Sequence, residues 1–183
     1  MDISTLQQFR HDIYQCFRKA PDALFDMVDA LITETQAQSF PELSLSPLFH
    51  RKWHSLYEAL EDGKIDEKML QEIFIKYIPA PSAGKRFVLG VDVTNIERPF
   101  SPTCADRTAI PMHNIPHAAP KKSRAITFGW KYSTVVVLPG EPSSWTFTVD
   151  QRRVPSDKTD IEVAFEQLQE IVPKLSRASI DLV

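Results

Sequence analysis

Residues 85–94 read KRFVLGVDVT, a short and almost uninterrupted apolar run that ends in a carboxylate. Phe87, Leu89 and Val91 alternate with Val88, Gly90 and Asp92, so the strand this run predicts is apolar on both faces until the acid appears. Such a strand belongs in the middle of a covered sheet. An aspartate at its end needs a cation, a hydrogen-bond donor or water, because burying an unpaired carboxylate is strongly unfavourable. Asp92 is therefore the residue from which a functional reading starts.

Downstream the character of the chain changes. Residues 95–124, NIERPFSPTCADRTAIPMHNIPHAAPKKSR, hold five prolines and no helical or strand period, which predicts a long loop of the kind that is functional or mobile inside a compact domain. It carries Arg98, Asp106, Arg107, His113, His117, Lys121, Lys122 and Arg124. A proline stands between His113 and His117, and they are not read as a ligand pair. Regular structure resumes with AITFGWKYSTVVVLP and then SWTFTVDQRRV, two runs rich in β-branched and aromatic residues and joined through GEPS, which predict an antiparallel hairpin. In the second run Trp145, Phe147 and Val149 alternate with Thr146, Thr148 and Asp150, the pattern of a strand with one buried and one wet face.

A helix follows. Thr159 and Glu162 have the spacing of a capping box, worth about 1 kcal/mol for the cap. Ile161, Ala164, Phe165, Leu168, Ile171 and Val172 form an apolar stripe, and Pro173 is expected to end the helix. The last residues, ASIDLV, open another apolar strand from about residue 178, and the expectation is that this strand belongs to a longer polypeptide.

Upstream, residues 3–19 place Ile3, Leu6, Phe9, Ile13 and Phe17 at helical spacing. Pro21 suits the first turn of a second helix with Leu24, Met27, Val28 and Leu31 inward. Ser46 and Pro47 are expected to open a third through Trp53, Leu56, Tyr57 and Leu60 to Gly63, and Asp66 to cap a fourth with Met69, Leu70, Ile73, Phe74 and Tyr77. IPAPSAG then reads as a domain boundary. Residues 1–80 are thus a helical region and residues 85–183 a second, sheet-containing domain. His50 and His54, four apart on the third helix, lack an HExxH pattern and read as surface residues.

Bulk properties narrow the classes. The chain has 183 residues, 43% of them hydrophobic, and no run near the roughly 20 apolar residues of a membrane span; no secretion signal opens it. Cys16 and Cys104 lie in unrelated contexts, as in a reduced cytoplasmic protein. The net charge of −3 conceals a division: residues 1–84 carry 8 basic and 13 acidic side chains, residues 85–131 carry 8 basic and 3 acidic. The basic segment surrounds Asp92 and favours a polyanion. Its eight cations, Lys85, Arg86, Arg98, Arg107, Lys121, Lys122, Arg124 and Lys131, are the DNA-contact candidates.

The order of strand with terminal Asp, long loop, hairpin, helix and strand is the opening of an RNase-H-like α/β (α+β) fold with a mixed sheet. FVLGVDVTNIERPFSPTCADRT, SRAITFGWKYSTVVVLP and SWTFTVDQRRVP together resemble DDE-type transposases of bacterial insertion sequences, and LSLSPLFHRKWHSLYEALEDGKID resembles the helical N-terminal region of one such group. The resemblance implies three carboxylates holding two Mg²⁺ ions that activate water or a DNA 3′-hydroxyl. Asp92 matches the first carboxylate. Asp181 is the candidate second ligand, Asp150 a weaker one, and no later helix supplies a glutamate. The expectation is the N-terminal part of a transposase, inactive alone; the alternative is a non-catalytic module that binds DNA, full-length transposase or a second copy of itself.

Overall fold

The computed structural model describes residues 2–81, 86–112, 126–139 and 145–177. It resolves into two compact units, Met1–Tyr77 and Ile78–Val183, and the described elements are α+β in class.

In the first unit α1 (Ile3–Gln15) begins at Asp2, whose carboxylate accepts the Thr5 N–H at 2.7 Å, the usual way an N-cap satisfies a first-turn donor. The strand β1 (Phe17–Lys19) leads to α2 (Pro21–Thr33), which has proline at its start. A short α3 (Phe40–Leu43) precedes α4 (Trp53–Asp62), which stops at Gly63. The strand β2 (Lys64–Ile65) pairs antiparallel with β1, and α5 (Glu67–Tyr77) starts at Asp66, whose carboxylate accepts the Met69 N–H at 3.1 Å. Ile13, Cys16, Phe17, Ala23, Leu24, Ala59 and Ile73 form the main core, and Ala30, Leu43, Phe49 and Leu56 a smaller one.

The third helix starts later than its sequence predicts. Residues 46–49 form a turn, with the Phe49 N–H donating to the Ser46 carbonyl at 3.0 Å, and that turn lets Phe49 reach the smaller core. Leu31, expected inward, is 56% exposed, and Trp53, Tyr57 and Leu60 also lie at the surface. Leu24, Ala30, Leu56 and Ala59 seat α2 and α4 instead.

In the second unit β3 (Val88–Glu97), β4 (Thr108–Pro111), β5 (Ile126–Leu138) and β6 (Phe147–Val154) build one antiparallel sheet, and α6 (Asp160–Arg177) follows. The long β5 is its axis. β3 runs along one edge of β5 from Val88↔Leu138 to Glu97↔Gly129; β6 and β4 share the other edge, opposite residues 131–137 and 126–129. At Gly129 three strands converge, and a Cβ there would stand 2.1 Å from the Ile96 carbonyl oxygen, so only glycine fits. The expected hairpin is present. Its connection, like the expected strand from 178, lies outside the described residues.

Three expectations are corrected. Within the predicted structureless loop, β3 continues to Glu97 and residues 108–111 form β4, too short for a strand period to show; Ile110 is nevertheless 1% exposed. The alternation in β6 breaks at a bulge between its partners Val135 and Val136; Val149 is buried, whereas Phe147 and, before the strand, Trp145 are exposed. Pro173 lies inside α6 rather than ending it. A proline there removes one intrahelical bond to residue 169, on the side of the helix where Gln169 and Pro173 both face solvent. Of the predicted apolar stripe, Ile171 is buried and Ala164 and Leu168 are half-buried. Val163, Gln167, Ile171 and Leu175 face the sheet, whereas Ile161 and Phe165 are exposed.

Candidate active-site strand and nucleic-acid face

Because side chains alternate along strands and directly paired residues share a face, the register sorts the sheet. The face under α6 carries Ser133, Val135 and Val137 of β5; α6 is locked there by Gln167, which accepts the Ser133 hydroxyl at 2.7 Å and donates to the Ser133 carbonyl at 3.1 Å and to Asp150 at 2.8 Å. The opposite face carries Val88, Gly90, Asp92, Thr94 and Ile96 of β3 against Leu138, Val136, Thr134, Tyr132 and Trp130 of β5.

Asp92 stands midway along β3 on that second face and is exposed. The expectation places it on a strand enclosed on both sides; among the described residues α6 covers the other face, and the carboxylate meets solvent. One of its oxygens accepts the Val93 N–H at 2.8 Å. Directly across lies Thr134, and beyond it Gln151, whose side-chain amide donates to the Thr134 hydroxyl at 3.1 Å. A polar row of three oxygen-bearing side chains thus crosses three strands. Apolar Val136 and Leu138 flank it on one side and Tyr132 and Arg153 on the other. Gly90, next to Asp92 on the same face, adds no side chain; a Cβ there would touch Val136 at 3.3 Å.

These donors are hard oxygens, which fit a largely hydrated Mg²⁺ rather than a soft metal. Only one of them is a carboxylate, and among the described residues no three His, Cys, Asp or Glu side chains come together as a metal-binding group. Asp181, Lys85, Lys121, Lys122 and Arg124 lie outside the described residues, as do His113 and His117.

Of the remaining candidates, Arg86 and Arg98 are exposed and Arg107 half-buried. Lys131 is on the α6 face, held by Asp160 at 3.0 Å, and does not share a surface with Asp92. Asp150 also points to the α6 side, between Arg152 at 2.7 Å and Gln167, a structural ion pair. His50 lies 3.5 Å from Asp26, and His54 packs edge-on against Trp53.

The loop between β3 and β4 is a built feature that its proline-rich sequence conceals. The Arg98 N–H extends the ladder to the Phe128 carbonyl at 2.8 Å, and the Arg107 guanidinium donates to the Arg98 carbonyl at 2.8 Å while lying over the Phe128 ring. Trp130 donates its indole N–H to the Ala105 carbonyl at 3.0 Å. Asp106, in the left-handed region at φ 57°, accepts the Ser156 N–H at 2.9 Å and pairs with Arg153 at 3.2 Å. Hydrogen bonds from Ser156, helped by the Arg153 charge, hold the Asp106 carboxyl below the usual carboxylate range.

Residues 12–181 match the family model described as DDE superfamily endonuclease. The chain belongs to that family. DNA is the substrate class such membership implies, and a divalent metal is typical of these endonucleases. No curated protein and no solved structure matches the chain. No helix among the described residues is long and apolar enough to cross a membrane.

Proposed function

We propose that the second unit carries the first metal-holding carboxylate of a Mg²⁺-dependent DNA cleavage and strand-transfer centre of the kind used in transposition of insertion sequences, and that this carboxylate is Asp92. The observation that carries the reading is its place: an exposed aspartate midway along β3, beside two neutral oxygen donors, on the face that α6 leaves open among the described residues. When bound, the metal would activate the attacking oxygen and stabilise the leaving one. Asp92 supplies the charge that holds it, Thr134 and Gln151 supply neutral hydrogen-bonding groups for its waters, and the cations at 85, 86, 98, 107, 121, 122 and 124 hold phosphates.

Two ions need bridging acids, so the 183-residue chain by itself is expected to bind Mn²⁺ or Mg²⁺ weakly and not to cut or join DNA. The test is paramagnetic broadening of backbone amides around residue 92 on Mn²⁺ titration, alongside nicking of supercoiled DNA. Broadening that vanishes in Asp92→Asn supports the assignment. Broadening that survives the substitution, or metal-dependent cleavage unaffected by it, refutes it. A second reading is a non-catalytic module that binds DNA and associates with an intact transposase or a second copy; the exposed apolar side chains Ile161, Phe165 and Val172 on α6 favour that association. Cytoplasmic residence accompanies either reading.

A further inference from the structure

We propose that the loop at residues 98–107, together with Phe128, is a stacking platform for unpaired nucleotides of the DNA substrate. The inference rests on the DNA reading and specifies it: the substrate presents single-stranded or unstacked bases at this corner of the sheet. Phe100 is 95% exposed, close to the value of a free side chain, yet its loop is fixed. Arg98, two residues before it, is anchored to Phe128; Ala105 is held by the Trp130 indole; Asp106 is clamped by Ser156 and Arg153. The Phe100 backbone therefore lies within about 7 Å of the Arg98 Cα, and Arg98 in turn bonds the backbone of a second aromatic, Phe128, that is 54% exposed and carries the Arg107 guanidinium over its ring.

An isolated exposed apolar residue is ordinary. This one differs in being a flat ring on a loop anchored at both ends, whose anchors bring in Phe128 and two arginines. Arg98, Arg107 and Arg153 outnumber Glu97 and Asp106 here, and the Arg153 and Asp106 charges cancel each other, leaving Arg98 and Arg107 against Glu97. Rings that stack bases beside arginines that meet phosphates are the general means of holding single strands without sequence preference. The Phe128 ring lies on the Asp92 side of the sheet, as Ile96, Trp130 and Phe128 share its side-chain parity. Unpaired bases held at Phe100 would run along the same face as the carboxylate.

The test is fluorescence anisotropy of the full chain with oligothymidylate of about 12 nucleotides and with a duplex of the same length. Phe100→Ala should weaken single-strand binding about 5- to 150-fold, the range expected for one lost base–ring stack, and leave duplex binding unchanged. Phe100→Leu, apolar but without a π face, should lose as much, and Phe100→Tyr should restore it. Because the side chain is exposed, none of these changes disturbs the fold. Equal single-strand binding by wild type and Phe100→Ala, full binding by Phe100→Leu, or equal losses on single strand and duplex overturns the platform while leaving the DNA reading standing. Binding of neither probe by wild type overturns both.

Discussion

Gln167 and Ser133 have no exposed surface at all, and their exchange of hydrogen bonds across 2.7 and 3.1 Å is what sets the rotation of α6 on the sheet. Ser133→Ala removes the donor to the Gln167 carbonyl oxygen and leaves that oxygen buried and unpaired, a cost of about 1–3 kcal/mol. Gln167→Leu strands the Ser133 hydroxyl and takes one donor from Asp150, with a cost in the same range of about 1–3 kcal/mol. The double variant Ser133→Ala/Gln167→Leu removes both partners, so most of the unpaired-group penalty disappears, and its destabilisation should fall short of the sum by about 1 kcal/mol or more. The assay is urea unfolding followed by Trp130 and Trp145 emission in a Trp53→Phe background, so that the signal comes from the sheet unit. Costs that add to within about 0.5 kcal/mol would show that the two side chains are not coupled and that apolar contacts alone hold α6.

Pro173→Ala restores a backbone donor on the solvent side of α6 and should raise the melting temperature, since proline in a helix interior costs up to about 3 kcal/mol relative to alanine; a lower value would show that the seating of Leu175 needs the proline. In the first unit Lys76, then Gln8 and Tyr77, hold the Asp12 carboxyl down to about 2 from its ordinary 3.8. A group whose pKa is lowered on folding stabilises above its ordinary value, and the benefit is lost as pH falls through the folded value. The advantage of wild type over Asp12→Asn, measured by thermal denaturation, should therefore be full at neutral pH and fade between about 4 and 2; an advantage independent of pH would mean that Asp12 acts through packing.

What could be read from the sequence divides by the range of the forces involved. The capping box at Thr159 and Glu162 is local chemistry, and it is present, with the Thr159 N–H donating to Glu162 at 2.7 Å. Pro21 starts a helix as its fixed φ suits, Asp66 caps one through its carboxylate, and Gly63 ends one in extended backbone where a Cβ would stand 2.1 Å from the Ala59 carbonyl oxygen. The apolar runs of β3, β5 and β6 declared themselves through β-branched residues. The burial of α6 did not, because its most periodic apolar stripe, through Ile161 and Phe165, faces out, and a glutamine occupies the centre of the stripe that faces in. No local pattern reveals that Ser133 waits opposite Gln167. For the same reason Asp92 stood out as a carboxylate ending an apolar run, whereas Thr134 and Gln151 did not; only strand register makes them its neighbours.

The shared edge of β5 also orders the events of assembly. β6 pairs with β5 across a gap of about 10 residues and β3 across at least about 30, a difference worth about 1 kcal/mol of closure entropy. The shorter closure favours the β5–β6 hairpin forming before β3 pairs, an order that amide-exchange labelling during refolding would test. Asp92 sits on the strand with the longer closure, and a slip of one residue in its register against Thr134 would turn the carboxylate from the open face to the side that α6 covers.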